Sequence, residues 1–294
     1  MTDVIDAEDL KIKIKTKAHE NHLEPQDIMQ MYFFERLLYR IGISEYKYNF
    51  ILKGGLLLSA IFGDERRTTQ DMDTMLKGIP LEVKTLEKII KEIISIDGKD
   101  GITFEIVNIK DIRLIDKYGG LKVKLIGYKE HLRVPLAIDV TVGDPITPKE
   151  LKFKYKCMFD DSYINIMAFN KETIIAEKFE TFITDNIMNT RAKDFYDLYI
   201  LLTRFYNDIN KDDLVQAIKN TFERRASKFD INMIVSNFDL IKNSERLKTN
   251  FNRYKLKKIY VKDISYEDVI NSIEIIIKLL QKELTLVSWY KMLT

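Results

Sequence analysis

Phe50-Ile51-Leu52-Lys53-Gly54-Gly55 reads as a short apolar strand running into a glycine pair. Arg67-Thr68-Thr69-Gln70-Asp71-Met72-Asp73-Thr74-Met75-Leu76 reads as a polar loop entering a second strand, from Asp71 to Leu76. Along a strand, side chains alternate between faces, so Asp71 and Asp73 project from the same side. Two like charges held together repel, and folding alone gives no reason to place them there. A divalent cation does, because Mg²⁺ favours carboxylate and phosphate oxygens. Upstream, a glycine pair allows a backbone to approach a phosphate closely.

Working outward, residues 4–20 alternate charges with Ile and Leu and look helical. A stronger helix runs from Leu23 to Ile41 on Ile28, Met31, Phe34, Leu37, Leu38 and Ile41, with Gly42 as its stop. Leu56 to Phe62 reads as a short buried helix ended by Gly63, and Leu81 to Ser95 as an amphipathic one. Three strands follow, Ile102–Ile109, Leu121–Tyr128 and Leu132–Val142, with Gly119-Gly120 as a turn. Together with 71–76 they predict a mixed sheet with helices packed on it, an α+β arrangement. After Pro148 the pattern shifts: Lys152–Phe159 is an edge-strand candidate and Ile164–Met167 another short piece. From Lys171 onward the chain is mostly helical (171–185, 190–206, 211–224, 229–239, Tyr266–Glu283). The division expected is 1–150 as N-terminal helices plus the sheet domain and 151–294 as a mainly helical domain, with the boundary in 145–170.

The totals exclude several classes. Of 294 residues, 46% are hydrophobic and 31% charged, which suits a globular chain rather than a disordered one. A net charge of +2 advertises no global field for nucleic acid, so any such partner needs a local basic patch. One cysteine, Cys157, excludes an internal disulfide, and the three histidines offer no zinc spacing with it. An acidic N-terminus (Asp3, Asp6, Glu8, Asp9) is unlike a secretory signal. No apolar run approaches the roughly 18 residues that span a bilayer, so the expected location is cytoplasmic, with no membrane partner.

A third carboxylate, Asp139, lies within Pro135-Leu136-Ala137-Ile138-Asp139-Val140-Thr141-Val142, a strand otherwise free of charge. It falls on the face opposite Ile138 and Val140. If its strand lies beside 71–76, it adds a third metal-ligating oxygen to Asp71 and Asp73, and such a site orients and deprotonates an attacking hydroxyl. Taken singly the features are bland. Asp-X-Asp is common, a lone strand Asp is usually an ion-pair partner, and Lys-Gly-Gly is usually a turn.

In this order, however, they resemble the nucleotidyltransferases of the DNA polymerase β superfamily. Leu52-Lys53-Gly54-Gly55, Arg67-X-Thr69-X-Asp71-X-Asp73, Glu177-Lys178-Phe179-Glu180 and Arg191-Ala192-Lys193-Asp194-Phe195-Tyr196-Asp197-Leu198 narrow the likeness. This set resembles the AbiEii/AbiGii toxin family, also known through the MenT-type toxins, over about residues 30–205. The resemblance implies a polymerase-β-like mixed sheet with flanking helices, and a C-terminal helical domain that completes the active-site cleft. It also implies Mg²⁺-dependent transfer of a nucleotide from a nucleoside triphosphate to an RNA acceptor, with a tRNA 3′ end the best candidate. The setting implied is a bacterial toxin–antitoxin or phage abortive-infection system, with a separately encoded antitoxin that need not bind directly.

By the same resemblance Asp71, Asp73 and Asp139 hold the metal, with Lys178 and Asp194 joining them in catalysis. Lys53, Gly54, Gly55, Arg67, Thr69, Lys178, Arg191, Lys193 and Asp197 line the nucleotide. On residues alone, Lys178 also reads as a helix residue paired with Glu177 or Glu180, and Arg191 pairs with Asp194. One departure stands out: Leu56 follows the glycines where the family often has Ser or Thr, and Ser59 lies one turn further on. The alternatives are transfer to a small molecule or protein, or a catalytically silent binding module of the same fold.

Residues 242–262 gather Lys242, Arg246, Lys248, Arg253, Lys255, Lys257, Lys258 and Lys262 around Phe251, Tyr254 and Tyr260. Cations for phosphates with rings for stacking suit an RNA strand. Lys248, Arg253, Lys255, Lys257 and Lys258 are the candidate nucleic-acid contacts. The competing reading is a solvated surface whose rings sit in the core.

Overall fold

The computed structural model describes residues 5–63, 67–112 and 119–293, with side chains through residue 283. Thr2 and Asp3 of the acidic N-terminus lie outside them. The chain divides into two compact units, residues 1–144 with 150–169, and 145–149 with 170–294.

The first unit is built on a seven-stranded mixed sheet in the order β3-β4-β5-β2-β1-β7-β6. In chain order its elements are α1 (Ala7–Asn21), α2 (Pro25–Ile43), β1 (Phe50–Lys53), α3 (Gly54–Phe62), β2 (Met72–Leu76) and α4 (Val83–Ile94). β3 (Thr103–Ile112), β4 (Gly120–Lys129), β5 (Leu132–Thr141), β6 (Leu151–Lys156) and β7 (Tyr163–Ala168) complete it. The β1–β7 and β2–β5 pairs are parallel and the rest antiparallel. Alternation sets the faces. Val134, Leu136, Ile138 and Val140 of β5 are buried, while Ala137, Asp139 and Thr141 stay half-buried on the other side.

Helix α2 lays its expected apolar set on β5 and β7, all six residues buried. It does not stop at Gly42. It runs to Ile43, and a Cβ at Gly42 would lie 2.9 Å from the Asn165 carbonyl oxygen, so the glycine serves close packing on β7. Arg40 is buried with it, making two 2.9 Å bonds to Asp100 and donating to the Ile96 and Ile102 carbonyls. That pair is fully hydrogen-bonded, the condition under which a buried charge is tolerated.

The second unit holds α5 (Lys171–Asp185), α6 (Ala192–Arg204), α7 (Lys211–Arg224), α8 (Ile231–Lys242), α9 (Glu245–Lys257) and α10 (Tyr266–Leu293), with short 3-10 turns between some of them. Asn170 caps α5 by accepting from Thr173 N at 2.8 Å. It also donates to the Thr147 carbonyl at 2.7 Å, which fastens 145–149 to this unit. Its centre is aromatic: Phe195 packs on Phe182, Phe251 and Tyr266. Helix α9 was not expected. It buries only Leu247 and Phe251, a stripe too thin to give a periodic signal in a charged sequence. No helix among the described residues is long and apolar enough to cross a membrane.

Candidate active site

Register, rather than any single motif, assembles the charged edge of the sheet. Lys122 on β4 pairs with Asp139 on β5, Asp139 with Asp73 on β2, and Asp73 with Lys53 on β1. Directly paired residues project to the same side, so lysine, aspartate, aspartate and lysine form one row across four adjacent strands. Asp71 lies two residues before Asp73 in the bend that opens β2.

The glycine pair is shaped around this row. Gly54 has φ +64°, and a Cβ there would fall 1.9 Å from Asp73 Oδ2. Gly55 donates its N–H toward the same oxygen at 3.4 Å, and a Cβ on it would meet Thr69 Oγ1 at 2.6 Å. The space the glycines clear thus admits Asp73 and Thr69, at the point where α3 begins. Arg67 is buried and donates to the Thr68 carbonyl at 3.1 Å, and Thr69 donates to the Asp71 carbonyl at 3.1 Å. Gln30 of α2 bridges the Gln70 and Pro135 carbonyls, tying the loop to β5. Lys53 is engaged by Asp144, 2.6 Å from its ammonium, and Asp144 also accepts from Thr141 at 2.8 Å.

Lys122 was not anticipated. Its ammonium lies 3.1 Å from Asp139 Oδ1 and 3.7 Å from Asp71 Oδ1. The first approach is an ion pair without hydrogen-bond alignment, since the buried Oδ1 accepts no aligned bond among the described residues. Burial pushes the Asp139 carboxyl above the usual carboxylate range; Lys122 opposes that, and the charges of Asp71 and Asp73 reinforce it. Burial disfavours the Lys122 ammonium, but Asp139 and Asp71 outweigh it and raise its pKa. In sequence Lys122 is one more charged residue on the outward face of an alternating strand, and only register puts it against Asp139.

Among the described residues no three His, Cys, Asp or Glu side chains converge closely enough to hold a metal. Mg²⁺ does not require that many, because it commonly takes one or two carboxylates and completes its shell with water and substrate phosphates. An acidic row with a buried, unaligned carboxylate oxygen fits such a partial donor set.

In the helical unit, Lys178 of α5 is clasped by Asp194 and by Asp197 at 2.9 Å, both on α6. Lys178 is 14% exposed, Asp194 12% and Asp197 fully buried. The neighbouring Glu177 and Glu180 pair with a cation from outside α5. Both face Arg225, which lies 2.7 Å from Glu180 and 3.7 Å from Glu177. Arg191 and Lys193 are exposed; Arg191 stands at the start of α6 with its N–H on Asn189.

In the basic stretch, Lys248, Arg253 and Lys257 are exposed and Lys255 and Lys258 half-buried. Its rings turn inward. Phe251 is in the core, Tyr254 and Tyr260 share a hydroxyl bond of 2.7 Å, and Tyr260 packs on Tyr196. Leu256, 88% exposed, stands among the cations.

The family described as nucleotidyl transferase AbiEii toxin, type IV TA system, matches residues 36–270. No curated protein sequence matches the chain. Two solved structures are similar, each at 16% identity. A candidate nucleotidyltransferase from H. pylori has a TM-score of 0.48, covering 90% of this chain and 99% of its own. JHP933 from Helicobacter pylori has 0.49, covering 91% and 97%.

Proposed function

Since the chain belongs to the AbiEii nucleotidyltransferase toxin family of type IV toxin–antitoxin systems, we propose that it transfers a nucleotide from a nucleoside triphosphate, with Mg²⁺, to an RNA acceptor, a tRNA 3′ end. What carries the reading is the row Lys122–Asp139–Asp73–Lys53 with Asp71 at its edge. Asp71 and Asp73 would hold the cation with the triphosphate. Bound Mg²⁺ would neutralise phosphate charge and acidify the acceptor hydroxyl.

Asp139 is the base. Its carboxyl, raised by burial, is better matched to accepting a proton near neutrality than an ordinary aspartate. The acceptor oxygen attacks the α-phosphorus and a new P–O bond forms. The bond to the β-phosphate breaks, pyrophosphate leaves, and the hydroxyl proton passes to Asp139. The start of α3 at Gly54-Gly55, with Arg67 and Thr69, receives phosphates, as helix N-termini and buried guanidinium groups do. Leu56 supplies no hydroxyl there. In the helical unit Lys178 is a phosphate contact that Asp194 and Asp197 hold in place. Arg191 and Lys193, and the exposed cations Lys248, Arg253 and Lys257, are its outward charges for nucleotide and RNA. A separate antitoxin counters the activity, as the family's systems imply.

The test is incubation with each labelled nucleoside triphosphate, Mg²⁺ and total tRNA. The wild-type protein is expected to label tRNA, and Asp71→Ala to lose labelling and toxicity with its circular dichroism unchanged. Full toxicity in Asp71→Ala defeats the metal-site reading, and label in protein or small-molecule fractions redirects the acceptor.

A further inference from the structure

Lys122 is the one residue of the charged row that neither the motifs nor the proposed mechanism uses, and its ammonium stands where a cation is wanted. Antiparallel register places its Cα directly opposite that of Asp139, so the ammonium stays within reach of the carboxylate as long as the β4–β5 ladder holds. From there it reaches two acids at once, 3.1 Å from Asp139 Oδ1 and 3.7 Å from Asp71 Oδ1. Asp139 Oδ1 is buried and accepts no aligned hydrogen bond among the described residues. It has a compensating charge, not a fitted donor. A lysine suits that place in a way an arginine does not. Its charge is compact like a metal ion's, and its flexible stem lets it withdraw, whereas a planar guanidinium would lock bidentate. Its side chain is 32% exposed, which leaves room to swing outward.

We propose that Lys122 is an intramolecular counter-cation that stands against Asp139 and Asp71 in the nucleotide-free protein and competes with the divalent ion for the acidic row. The inference rests on the metal reading of Asp71 and Asp73 given above and adds a regulatory consequence to it. A competitor tied to the sheet lowers apparent metal affinity by the fraction of time the oxygens are occupied. Metal alone therefore binds weakly. Metal arriving with a triphosphate brings its own oxygen ligands and gives the displaced ammonium an anion to face. Nucleotide and metal then load together, and the acidic row stays charge-balanced while empty.

Mn²⁺ binding measured by electron paramagnetic resonance, without nucleotide, tests this. Lys122→Met and Lys122→Gln are each expected to bind Mn²⁺ about 5-fold more tightly than wild type, the range expected when a modest ion-pair competitor is removed. Lys124→Met, which removes a charge from the same strand face one pair away, should stay within about twofold. Circular dichroism checks each fold, and either Lys122 variant suffices. Unchanged or weaker binding in both Lys122 variants, with wild-type binding intact, overturns this inference alone. Equal tightening in Lys124→Met overturns it too, because a general field then explains the effect. No Mn²⁺ binding by any of the proteins, even with a non-hydrolysable triphosphate, defeats the metal reading and this inference with it.

Discussion

Two of the lysine–carboxylate clusters among the described residues are built on opposite principles. In the helical unit Lys178 sits between Asp194 and Asp197, all nearly or fully buried. In the sheet unit Lys122 faces Asp139 and Asp71 across longer distances, with Asp71 46% exposed. The first cluster is closed: its charges are desolvated and each has a near partner, so removing one breaks a buried ion pair. The second is open: a buried oxygen has no aligned donor among the described residues, and water reaches its neighbour. Closed clusters hold a shape, whereas open ones are able to exchange one cation for another.

The comparison breaks most visibly at Lys178. Lys178→Met removes the ammonium that lies 2.9 Å from the buried Asp197 and is expected to cost about 3–5 kcal/mol in urea unfolding. A loss under about 1 kcal/mol would mean that the cluster is open after all.

Next comes Glu35, a buried carboxylate of the sheet unit whose partner guanidinium is incompletely satisfied. It meets Arg36 at 2.5 Å and accepts from Met158 N at 2.6 Å, while Arg36 Nε finds no acceptor among the described residues. Burial pushes its pKa up to about 7 from the ordinary 4.5. A carboxyl raised on folding stabilises the protein at low pH and loses that contribution as pH climbs through its folded value. Between pH 4.5 and 7, stability should therefore fall by up to about 3 kcal/mol relative to Glu35→Gln, which removes the titration. Parallel pH curves for the two proteins would refute it.

Smallest is Gly54→Ala. The positive φ and the Asp73 carboxylate against this Cα predict a loss of about 1–3 kcal/mol, with Asp73 displaced and nucleotide transfer reduced. A neutral effect on both would mean that the close approach is not needed.

Much of the fold was legible because its signals are local. The apolar set of α2, the alternation of β5 and the run of helices after Lys171 each repeat with a fixed period. Where the reading missed, a local signal misled or was absent. Gly42 looked like a stop and is instead a contact with β7, and α9 carries too thin an apolar stripe to announce itself. The aromatic residues of the basic stretch read either as stacking platforms or as core, and the choice fell to packing: Phe251 lies in the core and Tyr254 and Tyr260 bind each other. Sequence cannot tell which side of a short helix meets its neighbours when charges surround every ring.

By itself, the sequence determined the family, the order of the motifs and the faces on which Asp73 and Asp139 lie, because strand alternation needs only neighbours along the chain. Only tertiary structure decided that these two aspartates are side by side and that Lys122 and Lys53 flank them. It alone also brought Lys178 against Asp194 and Asp197 and set Glu177 and Glu180 against Arg225. Those pairings join residues 16 to 66 positions apart, and register between strands and packing between helices are set by the whole sheet and core.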